Sequence, residues 1–168
     1  MHYYQIADID CADVTIAPIE NFGCEWQGNS FKIKNLKVQK RSISNGANVG
    51  LFGEISSTAK IENVIFDTIS VDFSTFYEGN KTFYINMYLL FTSLKKEATV
   101  RNVSFSGAMN VVFLDDDSSD SVQERSNIQS DNGGWIGWQY GTVEQGAEAL
   151  LTGFDTTNVS ITVDVRKT

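Results

Sequence analysis

Ala59-Lys60-Ile61-Glu62-Asn63-Val64-Ile65-Phe66 returns further along the chain as Ala98-Thr99-Val100-Arg101-Asn102-Val103-Ser104-Phe105, and that return decides the fold. The copies share one pattern: apolar, any residue, Asn, apolar, any residue, apolar. Shorter versions flank them, Lys32-Ile33-Lys34-Asn35-Leu36-Lys37-Val38 before and Thr157-Asn158-Val159-Ser160-Ile161 after. A second element travels with the first. Val49-Gly50-Leu51-Phe52-Gly53 precedes Asn63 at the spacing at which Tyr88-Leu89-Leu90-Phe91-Thr92 precedes Asn102. A third version, Gly133-Gly134-Trp135-Ile136-Gly137-Trp138, precedes Asn158 by a longer stretch, which reads as an insertion around Glu144 to Gly153. Two elements held at one spacing define a module of two short strands and a turn, and internal repetition of this kind marks stacked architectures.

Such a module cannot bury its apolar face alone, so successive modules stack and share a core. The expected fold is all-β: one short right-handed β-helix or β-solenoid-like domain over residues 1–168, with a leader and first rung at 3–38 and further rungs at 49–66, 88–105 and 133–165. Asn35, Asn63, Asn102 and Asn158 are its expected turn residues, because asparagine tolerates left-handed backbone, bonds to nearby backbone groups and stacks on the amide of the next rung. The connections lengthen along the chain and read as insertions. At 67–87, Ile69, Val71 and Phe73, a Glu78-Gly79-Asn80 turn, then Phe83, Ile85 and Met87 predict a β-hairpin. At 106–132, Asp115-Asp116-Asp117-Ser118-Ser119-Asp120 predicts a mobile acidic loop. The one candidate helix lies at Glu144 to Leu151.

Composition agrees with strands: a single proline and 13 glycines in 168 residues leave long runs for sheet and enough glycine for tight turns. A net charge of −8, with 13 basic residues scattered rather than striped, sets the chain against nucleic acid and anionic membrane. No apolar run reaches the roughly eighteen residues that a spanning helix needs, so membrane insertion is not expected. Met1-His2-Tyr3-Tyr4 lacks the basic and apolar regions of a signal peptide, so the expectation is a cytosolic protein or an excised piece of a longer one. Cys11 and Cys24 do not form a CxxC pair, and His2 is the only histidine, too few soft ligands for zinc. The two cysteines fit either free thiols or a disulfide.

The N-terminal third carries a more specific likeness. Tyr4-Gln5-Ile6-Ala7-Asp8-Ile9-Asp10, Ala17-Pro18-Ile19, Phe22 to Trp26 with Gly28-Asn29, Ile33-Lys34-Asn35-Leu36, then Val49 to Gly53 and Ala59 to Val64 follow one another. This order resembles the leader and first rungs of GLUG-repeat proteins, in which a DID-type strand, a PIG-type turn, an FDGNGHxIxNL segment, a GLFG strand and an AxIxNV strand succeed one another. The likeness covers Tyr4 to Phe66 and continues more loosely beyond. Here the FDGNGH segment reads Trp26-Gln27-Gly28-Asn29-Ser30-Phe31, and Cys11 and Cys24 replace a leucine and a small residue. The resemblance implies a non-catalytic module of a bacterial cell-surface or secreted protein, as in adhesin-like chains and the non-catalytic regions of some immunoglobulin A metallopeptidases. It implies an extracellular location within a longer precursor and a role in adhesion or as a spacer.

Candidate chemistry is sparse. Asp8 and Asp10 project from one face of a strand, as an acid and base pair or a cation site would, and as a purely structural strand would too. Asp115, Asp117 and Asp120 offer oxygen to calcium but lack the glycine and closing glutamate of a defined calcium loop, so no cofactor is expected. His2 alone supports no Ser/His/Asp or Cys/His set, and no phosphate loop or HExxH is present. Clustered carboxylates contributed by different rungs would instead suit a polysaccharide-active β-helix enzyme. Aromatic side chains are the remaining candidates. Most fit the core, and any exposed set, Phe76, Tyr77, Phe83, Tyr84, Trp135 and Trp138, would receive a host or neighbouring surface protein, or alternatively a glycan.

Overall fold

Side chains of an extended strand alternate between faces, and one left-handed residue both turns the chain and resets that alternation. Lys60–Tyr77 shows the consequence. Ile61 points inward, Asn63 takes φ 56°, Val64 and Phe66 point inward, Thr68 takes φ 57°, and Ile69, Val71 and Phe73 point inward again. One continuous strand thereby becomes three straight segments joined at two corners. The structure is a computed structural model and describes residues 1–44, 47–77, 86–115, 136–138, 140–147 and 150–167.

The strands among these residues are β1 His2–Tyr4, β2 Ile9–Asp10, β3 Thr15–Ile16, β4 Ile19–Phe22, β5 Glu25–Gln27, β6 Lys32–Lys34, β7 Lys37–Lys40, β8 Asn48–Val49 and β9 Phe52–Ile55. They continue as β10 Lys60–Tyr77, β11 Asn86–Tyr88, β12 Phe91–Leu94, β13 Thr99–Asp115, β14 Ile136–Trp138, β15 Thr142–Val143, β16 Leu151–Thr152 and β17 Asp155–Lys167. They form three sheets, and every pairing described is parallel. The fold is all-β. From β8 onward the chain visits the three-stranded sheet, the four-stranded sheet and the ten-stranded sheet in that order, three times over: β8-β9-β10, β11-β12-β13, then β14-β15-β16/β17. Before that, β3 leads through Ala17-Pro18 directly to β4, and β5, β6 and β7 complete the next pass.

The core is built of columns, one residue from each pass. Trp26, Ile61, Val100 and Leu151 are register partners in one column, and Val38, Val71, Met109 and Ile161 in another. Phe66 and Phe105 stack with centroids 4.6 Å apart, while Trp26 meets Phe66 edge-on at 5.9 Å and Phe154 meets Phe105 at 5.8 Å. Phe91 lies against Tyr140 at 5.3 Å in the four-stranded sheet. A shared turn precedes the last three returns to the ten-stranded sheet. Ala59, Ala98 and Ala147 are buried, and each donates its N–H to the carbonyl three residues earlier, on Ser56, Lys95 and Glu144. The approach between passes is close at Gly53, where a Cβ would lie 2.2 Å from the Glu20 carbonyl oxygen.

Four expectations are corrected by this register. Ile69–Tyr77 is no arm of a hairpin: it pairs in parallel with Gly107–Asp115, whereas Asn86–Tyr88 lies in the three-stranded sheet. The acidic insertion does not begin at Ser106, because β13 stays paired to β10 and β17 through Asp115. The stretch from Glu144 to Gly153 is a repeat rather than an insertion, since Ala147 forms the shared turn and Leu151 pairs with Val100. Within the candidate helix at Glu144 to Leu151, Glu144 to Ala147 form that turn and Leu151 begins β16.

Candidate functional site

The outer face of the ten-stranded sheet brings polar side chains from successive passes into rows, because parallel pairing sets register partners side by side. At one end Glu25 accepts from Lys60 Nζ at 3.0 Å and from His2 Nδ1 at 2.6 Å, and a shallow depression forms between His2, Tyr4, Glu25, Gln27, Lys60 and Glu62. Arg101 reaches Glu62 from the next pass at 3.8 Å. Further along, Asp8 accepts from the Lys32 backbone N–H at 2.8 Å and from Lys34 Nζ at 2.7 Å. Lys32 Nζ donates to Asp67 at 2.9 Å, and Ser106 Oγ donates to the same carboxylate at 3.0 Å. On the four-stranded sheet Lys95 Nζ bridges Glu144 at 2.9 Å and Glu54 at 3.3 Å.

These contacts fix the protonation of the face. The Lys32 backbone N–H and the Lys34 ammonium hold the Asp8 carboxyl below its ordinary value. Lys60, then His2, does the same for Glu25; Lys32, then Ser106, for Asp67; the Lys96 N–H, then Lys95, for Glu144. Each shift moves a carboxyl away from neutrality, the opposite of what a general acid needs. These groups hold neighbouring passes together. Asp10, the second member of the Asp8 pair, accepts from the Ala12 N–H and from Asn35 Nδ2. Sequence reading missed the cross-pass charge pairs. For Glu62 and Arg101 the signal lies in the alanine turn, since aligning Ala59 with Ala98 brings the strands that follow into register.

The asparagines divide between two corners. Asn63 Nδ2 donates to Gln27 Oε1 at 2.8 Å and Asn102 Nδ2 donates to Asn63 Oδ1 at 2.9 Å, an amide ladder across three passes. Both residues are left-handed, at φ 56° and φ 53°. Asn35 does not join them. Ile33 pairs with Phe66 and Lys34 with Asp67, which sets Asn35, at φ 58°, beside Thr68 at the second corner. Asn158 is also misplaced by the sequence pattern, because its register partner is Ser106. The position above Asn102 belongs to Gly153, at φ 65°, where a Cβ would lie 2.4 Å from Asn102 Oδ1.

Of the aromatic candidates, Phe76 and Tyr77 close β10 and Trp138 closes β14, with their side chains outside the described residues. Phe83, Tyr84 and Trp135 also lie outside them. Asp115 ends β13, while Asp117 and Asp120 fall outside the described residues. Among the described residues no group of His, Cys, Asp and Glu converges to hold a metal ion, and no helix is long and apolar enough to cross a membrane. Cys11 and Cys24 are free, half-buried thiols, and burial, then Asp10, pushes the Cys11 thiol up. Comparison with family models, curated proteins and solved structures finds no match.

Proposed function

We propose that the chain is a short right-handed parallel β-solenoid of the GLUG-repeat type that serves as a non-catalytic module, a spacer or adhesion element, of a bacterial cell-surface or secreted protein. One observation carries the reading: the residues that recur from pass to pass are spent on stacking. Asn63 and Asn102 bond to each other, Phe66 and Phe105 stack, and Ala59, Ala98 and Ala147 close the same buried turn. A catalytic repeat would instead aim some recurring polar groups at a shared cleft. Here the outer carboxylates are engaged by lysines and arginine of adjacent passes.

A stack held by neighbour contacts alone behaves as a nearly one-dimensional chain of units. Pulled from its two termini in a force spectrometer, the chain is expected to lengthen in several steps, each releasing one pass. A single all-or-none extension counts against the solenoid spacer. Saturable binding on a glycan array, or reducing-end release from polyuronides, would replace it with a carbohydrate-binding or polysaccharide-cleaving role.

A further inference from the structure

We draw no further inference here: the strongest candidate, the surface patch along β7 and its exit where Lys37, Lys40 and Arg41 stand exposed and meet no carboxylate among the described residues, carries nothing because nothing in the structure shows what covers it.

Discussion

Left-handed backbone is costly for most residues, on the order of 1 kcal/mol, and asparagine lowers the cost by bonding locally. Asn63 takes the left-handed corner, and its amide bridges Gln27 below and Asn102 above. Asn63→Ala is expected to lower the unfolding free energy by about 1 to 3 kcal/mol, because it strands two amide partners and strains the corner. Asn63→Gly keeps the corner and loses only the ladder, so it falls between Ala and wild type. Asn158→Ala, on the outermost strand beside Ser106, costs a few tenths of that. Urea titrations of the three variants measure the order, and equal midpoints contradict the ladder. The ladder at Asn63 and Asn102 was legible in the sequence; the exclusion of Asn35 and Asn158 was not. Both corners demand an inward apolar residue, an outward one, then a left-handed residue, so Ile33-Lys34-Asn35 and Ile61-Glu62-Asn63 look alike while serving different corners.

At the scale of the element, the same phase reset explains the misplaced hairpin. Alternation in Val64 and Phe66 breaks at Thr68 and restarts at Ile69, Val71 and Phe73, which a reading by period takes for the end of one strand and the start of another. Pairing settles the matter, with Phe73 set beside Val111 and Val71 beside Met109. The all-β content followed from the repeat. The length of each pass did not, because a residue at φ 57° that is threonine rather than asparagine or glycine leaves no compositional mark. The two readings differ in cost. Phe73 is buried in the shared core at 1% exposure, and Phe73→Ala is expected to destabilise by about 3 to 5 kcal/mol. A peripheral hairpin would tolerate the change with little loss in melting temperature. Calorimetry of this one variant separates them.

For the whole molecule, charge acts in two opposed ways as pH changes. Net repulsion at −8 weakens as the medium approaches the isoelectric point near 4.5, which favours the compact state. The carboxyls of Asp8, Glu25, Asp67, Glu144 and Asp155 act the other way, being held below their ordinary values of 3.8 for Asp and 4.5 for Glu. For them the unfolded chain binds more protons, so their contribution is present above the ordinary value and is lost as pH falls through the lower folded one. Dispersed repulsion is screened beyond a Debye length of about 8 Å, whereas the ion pairs lie within direct contact, so the pairs win on the acid side. Lys34 and Lys95 bound the other side. Asp8, and Glu144 with Glu54, raise them above 10.5, so their contribution is complete below that value and fades as pH climbs through the folded one. Melting temperature measured from roughly pH 3 to pH 11 should therefore form a broad plateau that falls at both ends. Asp155→Asn, whose carboxyl is held down by Thr157 alone, should soften the acid fall and leave the alkaline one unchanged, and Lys95→Gln should soften the alkaline fall. A stability maximum confined to the isoelectric point would mean that net repulsion, rather than the pairs between passes, governs the fold.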